Sequence, residues 1–206
     1  MTAQRFLILH GWQGSGDGHW QTLLAERLGA AGHPVRYPDL PECHTPCPDR
    51  WGRALREEVA ALGPGPGSVV ICHSLACVLW LRHARATRGE QRVERVALVA
   101  PPSAGTGISE IARFYPVTLD REAIAASAVE TRLVCSDDDP YCPGGAAAVY
   151  GEPLGLATDV VAGGGHLNPD AGYGPWPEME AWSVGRRAHP APVVAPAYGA
   201  KNGVDT

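Results

Sequence analysis

The chain holds 206 residues, 45% apolar and 19% charged, and its 17 basic and 22 acidic side chains leave a formal net charge of −5. That composition is globular rather than disordered, and a chain of this length suits one domain that buries roughly 70% of its unfolded surface. A mildly acidic balance argues against a general nucleic-acid binder, which draws on clustered Lys and Arg.

Arginine supplies 16 of the 17 basic residues and Lys201 is the only lysine, a usage that fits GC-rich coding rather than a functional choice. No run approaches the roughly 18 apolar residues of a membrane span. The N-terminal apolar run, Phe6 to Leu9, is too short for a signal-peptide core. The expectation is a cytoplasmic protein with no membrane partner. In that compartment the six cysteines, Cys43, Cys47, Cys72, Cys77, Cys135 and Cys142, read as reduced thiols. Cys43 and Cys47 flank His44, but C-H-x-x-C lacks a second ligand pair at zinc spacing, so no metal is assigned.

Taken in chain order, strand-like and helix-like runs alternate. Phe6–Leu9 reads as a buried strand, and Trp20, Leu23, Leu24 and Leu28 recur at helical spacing. Val35–Tyr37 reads as a short strand stopped by Pro38. Trp51, Leu55, Val59 and Leu62 share one helix face, which ends in Gly63-Pro64-Gly65-Pro66-Gly67. Val69–Cys72 is a strand followed by a helix from Leu75 to about Arg88. Val96–Ala100 is another strand, halted by Pro101 and Pro102, and Leu133–Cys135 and Val160–Val161 complete the set. Residues 103–128 fit the alternation less well and read as a short cap. From Val184 the chain is rich in Ala, Pro and Gly without periodicity, so the domain is set at 1–183 and a flexible tail at 184–206.

Alternation of this kind means βαβ units and a mostly parallel sheet covered on both faces, a three-layer α/β/α sandwich. Its continuously apolar strands agree with burial on both sides. Ligands of such sheets bind beyond the carboxyl ends of the strands. There stand His10-Gly11-Trp12, then His73-Ser74-Leu75-Ala76, then Ser136-Asp137-Asp138-Asp139-Pro140, then Gly163-Gly164-Gly165-His166. Ser, Asp and His thus follow separate strands in the chain order of the α/β-hydrolase triad.

The chemistry requires that trio. A serine hydroxyl becomes a nucleophile when an imidazole accepts its proton, and a carboxylate fixes the imidazole's tautomer and supports its charge. Ser74 is the candidate nucleophile and His166 the candidate base. The places two residues before and after Ser74 hold Cys72 and Ala76, both small, so G-x-S-x-G is not met. The bland alternative for Ser74 is a helix N-cap. Three aspartates compete for the third role: Asp137 lies nearest the strand, and Asp139 precedes Pro140, which favours extended, rigid backbone there. An oxyanion needs two N–H donors. Leu75 opens a helix and supplies one, and the glycine-rich loop near Trp12 or Gln13 supplies the other. A dinucleotide loop is excluded because G-x-G-x-x-G would need glycine where Gln21 or His19 stands. Of the other histidines, His73 reads as structural and His10 as orienting its loop. His19, His33, His44, His83 and His189 read as surface or capping residues.

These pieces together resemble the small serine hydrolases of the retinoblastoma-binding protein nine family, bacterial members above all. The matching runs are His10-Gly11-Trp12-Gln13 with His19-Trp20, Cys72-His73-Ser74-Leu75-Ala76, Ser136 through Pro143, and Gly165-His166-Leu167-Asn168 continuing to Gly172-Tyr173-Gly174-Pro175-Trp176-Pro177-Glu178. The likeness spans about residues 4–183. It implies a compact α/β-hydrolase fold with a minimal cap and a triad of Ser74, Asp139 and His166. It also implies esterase-like action on small acyl substrates; related amides and thioesters share that chemistry, and a triad needs no cofactor to complete it. The family's elbow glycines are replaced here by Cys72 and Ala76. The L-x-C-x-E motif of pocket-protein ligands has only Leu133-Val134-Cys135-Ser136-Asp137 as a partial match, on a strand expected to be buried, so a protein-interaction module is the weaker alternative. For the acyl pocket, the expected walls are Trp12 and Trp176 on one side and Phe114 and Tyr115, with Ile108 and Ile111, on the other.

Overall fold

The computed structural model describes residues 4–87 and 89–191. Six strands, β1 (Arg5–Leu9), β2 (Val35–Arg36), β3 (Gly65–His73), β4 (Val93–Val99), β5 (Ala128–Ser136) and β6 (Ala157–Val161), form one sheet in the order β2-β1-β3-β4-β5-β6. Every pairing is parallel. Between them run α1 (Trp20–Ala30), α2 (Pro48–Leu62), α3 (Leu75–Thr87), α4 (Arg121–Ser127) and α5 (Glu152–Leu154), and α6 (Pro177–Ser183) follows β6. Strand β5 is longer than its apolar run predicts. Its first half carries Glu130, Thr131 and Arg132 beside an exposed Val129, and Arg132 is tied to Glu130 at 3.1 Å and to Asp159 of β6 at 2.9 Å.

Alternation within the strands divides the core in two. Phe6, Ile8, Val69 and Ile71 pack under Trp20, Leu24 and Leu28 of α1 and Met179 and Trp182 of α6. Leu7, Leu9, Val70 and Cys72 pack on the opposite face under α2, α3, α4 and α5. Both faces are covered, which is why the strands carry no polar alternation. Sequence signals set the helix ends. Pro48 opens α2, Asp49 sits in its first turn, and Gly63 ends it at φ 78°. The Asp120 carboxylate caps α4 by accepting the Ala123 N–H at 2.9 Å.

The strand order places the carboxyl ends of β1 and β3 side by side, with helices leaving to opposite faces, which is the switch point where a crevice opens. Residues 103–128 form two 3-10 turns, Ala104–Thr106 and Ser109–Phe114, and then α4. They make a low rim rather than a separate lid. Leu133, Val134 and Cys135 are fully buried in β5, so the partial pocket-protein motif is closed to a partner. Of the tail expected from Val184, residues 184–191 are described: Pro190 is buried, and Val184 and Ala191 pack against the core. Residues 192–206 lie outside the described residues. All six cysteines are unpaired, four of them buried. No helix among the described residues is long and apolar enough to cross a membrane.

Candidate active site

Ser74 sits between the last residue of β3 and the first of α3, with φ 56°. A non-glycine residue in the left-handed region costs on the order of 1–3 kcal/mol and persists only where packing fixes it. Here the fixing is backbone: the Ser74 N–H donates to Val99 O at 2.8 Å, and the Ser74 carbonyl accepts the Cys77 N–H at 2.9 Å. Cys72 and Ala76 are both fully buried, and the sharp turn forms without the usual glycines. The hydroxyl is thereby lifted out of the sheet.

The Ser74 Oγ lies 3.0 Å from His166 Nε2, and His166 Nδ1 lies 3.0 and 2.9 Å from the two Asp139 carboxylate oxygens. With Nδ1–H donating to Asp139, Nε2 is left as the acceptor for the serine proton. The three aspartates have three different partners. Asp137 accepts the Gly163 N–H at 2.8 Å, Asp138 accepts the Gly165 N–H at 2.7 Å and the Ser136 hydroxyl, and only Asp139 reaches the imidazole. The Ser136 hydroxyl first, then the Gly165 N–H, holds the Asp138 carboxyl below its ordinary range. Asp139 and His166 are buried at 7% and 8% exposure, while Asp137 and Asp138 are exposed. Burial strengthens a charge-assisted hydrogen bond by excluding water.

The loop carrying His166 is held from several sides. His73 Nε2–H donates to the His166 carbonyl at 3.1 Å, and Trp20 Nε1–H donates to Leu167 O at 2.8 Å. The Tyr141 ring meets the imidazole edge-on at 4.4 Å between centroids. Burial first, then the neighbouring His166 and His19 rings, pushes the His73 pKa well down, so His73 is a neutral donor. His10 orients the opposite loop: its Nε2 accepts the Leu40 N–H at 2.8 Å, which leaves Nδ1–H to donate to Gly11 O at 2.8 Å.

Leu75 and Trp12, the two expected oxyanion donors, both line the Ser74 pocket. The first N–H groups of a helix have no internal partner, and Leu75 is first in α3. In the β1 loop the Gln13 N–H is already bonded to Cys43 O at 2.9 Å, whereas the Trp12 N–H makes no hydrogen bond to described residues. Trp12 is thus the available donor of the two weighed from the sequence.

A model of the serine hydrolase family matches residues 6–183. The chain belongs to the serine hydrolase family. The hydrolase is similar in structure to the ydeN gene product of B. subtilis, at TM-score 0.75 and 21% identity, over 88% of this chain and 97% of that one. A YdeN-like hydrolase from Pectobacterium atrosepticum aligns at TM-score 0.65 and 23% identity, over 88% and 91%. A hydrolase of the α/β superfamily from Xanthomonas campestris pv. campestris aligns at TM-score 0.57 and 15% identity, over 84% and 92%. At these identities the likeness is one of fold, and the fold is that of the α/β-hydrolases. No curated protein sequence matches the chain at a significant level.

The hydrolase carries a pocket of about 270 Å³ at Ser74, walled by Trp12, Pro102, Ile108, Ile111 and Tyr141. Three expected wall residues are elsewhere. Phe114 is fully buried against Trp51 in the core, because its short 3-10 turn aims it inward. Tyr115 turns its hydroxyl to Pro102 O at 2.6 Å. Trp176 is buried against Trp20, beneath the His166 loop rather than in the pocket.

Two histidines assigned to surface or capping positions are buried, His19 and His83. His19 does cap α1, its Nδ1 accepting the Gln21 N–H at 3.1 Å, but it also lines the Ser74 pocket. Burial, then repulsion from His166 and His10, lowers its pKa to about 4. With Nδ1 accepting and the ring neutral, Nε2 carries the proton and is a donor on the pocket side of the helix end. The sequence did hold a signal for this. A helix that follows a parallel strand starts at the sheet's carboxyl edge, so an N-cap histidine on α1 must lie beside the site.

Proposed function

We propose that this hydrolase cleaves small carboxylic acyl esters through Ser74, His166 and Asp139. The supporting observation is the unbroken hydrogen-bond chain from the Ser74 hydroxyl through both imidazole nitrogens to the Asp139 carboxylate. Ser74 Oγ attacks the acyl carbonyl carbon as His166 Nε2 takes its proton. The N–H groups of Leu75 and Trp12 receive the negative charge that develops on the carbonyl oxygen. Collapse expels the alcohol, which takes the proton back from Nε2 and leaves an acyl group on Ser74. Water then attacks that carbonyl, losing a proton to Nε2, and the carboxylic acid departs as Ser74 recovers its hydrogen. Asp139 stays ionised throughout, holding Nδ1–H and supporting the imidazolium.

Pocket size bears on the acyl group. Its roughly 270 Å³ falls below the ~300–1,000 Å³ of sites for drug-sized ligands, and Ile108, Ile111 and Pro102 make part of it apolar. Short to medium acyl chains fit, and amide or thioester substrates share the same chemistry. A fluorophosphonate probe should label the wild type and leave Ser74→Ala unlabelled. p-Nitrophenyl esters from acetyl to palmitoyl should give the highest kcat/KM at short to medium length. Labelling that survives Ser74→Ala, or rates that climb to the longest chains with activation at a lipid interface, would overturn this reading.

A further inference from the structure

A second cavity lies between α2 and α3 and shares no residue with the Ser74 pocket. Its volume is about 590 Å³, within the range of small-molecule sites. Arg53 and Arg56 line it from α2, and Arg82 and Arg85 from α3. Each pair is spaced i, i+3, so both side chains of a pair leave the same helix face. Among the lining residues Asp49 is the only carboxylate, so the groove carries four guanidinium charges against one acid in a chain whose net charge is −5.

Arginine is the general cation of this chain, so the residue type carries no weight; the clustering does. Arg27, Arg36, Arg50, Arg95 and Arg132 each sit within 4 Å of a carboxylate. Among the described residues none of the four groove arginines does. Four like charges gathered with one acid among them repel, and a bound anion relieves that. Two of the four are held in place: Arg82 donates to Phe114 O at 3.3 Å and Arg85 to Thr118 Oγ1 at 3.2 Å, which lowers the ordering cost of binding. Gly52 and Ala86 leave the groove open, while Leu79, Pro116 and Val117 give it apolar surface.

We propose that this groove binds a small organic phosphate of two or more negative charges, a diphosphate ester of nucleotide size. Guanidinium forks match phosphate oxygens in pairs, and charges on both walls suit a ligand with anionic groups spread along its length. The apolar patch accommodates its uncharged portion. His83, buried on the groove wall and neutral at pH 7, is a built-in reporter, because a bound anion near Arg56 raises its pKa.

The test is calorimetric titration of the full chain at low salt with pyrophosphate, ADP, adenosine and citrate. Pyrophosphate and ADP should bind one to one, adenosine should not, and affinity should fall as salt rises. Arg53→Gln with Arg82→Gln should weaken ADP binding by about tenfold or more. The same double variant should hydrolyse p-nitrophenyl acetate like the wild type, and Ser74→Ala should bind ADP like the wild type. Those two controls separate the groove from the ester chemistry. The His83 ring resonances should titrate at higher pH with ADP bound. No heat with millimolar pyrophosphate or ADP, binding unchanged in the double variant, or tighter binding of citrate would overturn the proposal. Binding to phosphatidylglycerol vesicles without binding of either free phosphate would also overturn it.

Discussion

Gly11 passes so close to Ser74 that a Cβ at position 11 would lie 2.6 Å from the Ser74 Cβ and 3.1 Å from its Oγ. The glycine lets the β1 loop, with the Trp12 N–H, approach the serine. Gly11→Ala must push that loop away. A shift near 1 Å at an active site costs on the order of 10²-fold in rate. We expect kcat for ester hydrolysis to fall by about that factor, with overpacking costing on the order of 1–3 kcal/mol of stability. Wild-type kcat in Gly11→Ala would show that the approach is not needed.

The three neighbouring aspartates should separate by rank. Asp139→Asn breaks the only carboxylate contact to His166 among the described residues, and loss of the equivalent group in a well-studied triad costs about 10⁴ in kcat. Asp138→Asn loosens the Gly165 N–H contact and should cost less. Asp137→Asn should cost least. Steady-state kinetics on one ester decides the order, and a larger loss at Asp137 than at Asp139 would contradict the assignment.

His19 combines a cap and a pocket wall, and one substitution can separate them. His19→Asn keeps an acceptor for the Gln21 N–H but does not reach as far as the imidazole. Its melting temperature should stay near the wild type's, while kcat/KM falls about tenfold, the value of one neutral hydrogen bond. Equal kcat/KM would reduce His19 to a cap.

Buried neutral histidines make stability depend on pH. Burial lowers the pKa of His19 and His83 from 6.5 to about 4. Between those values the unfolded chain holds protons that the folded chain refuses. Stability therefore falls as pH drops through that window, by up to about 1.4 kcal/mol per pH unit for each group. Urea unfolding at pH 7, 6 and 5 should show the decline, and His83→Gln should flatten it. An unchanged slope in His83→Gln would remove His83 from the account.

Local pattern was enough for the alternation of strands and helices, the parallel sheet, and the serine, aspartate and histidine that follow its strands. Those features follow from hydrophobic periodicity and from βαβ connectivity, which fixes every strand's carboxyl end at one edge. Among the three neighbouring aspartates, Asp137 lies nearest the strand end and Asp139 precedes Pro140, so local pattern left the choice open and the family resemblance favoured Asp139; the 2.9 Å to His166 Nδ1 is what separates it from Asp137 and Asp138 in space. The tertiary structure alone decided which aromatic residues face substrate. Phe114, Tyr115 and Trp176 look like pocket residues in a linear reading, yet side-chain direction depends on how a short 3-10 turn or loop packs on the core, which no period encodes. The groove is a tertiary feature too: α2 shows Arg50, Arg53 and Arg56 and α3 shows Arg82 and Arg85 at helical spacing, and only the packing of one helix against the other brings four of them into a single groove.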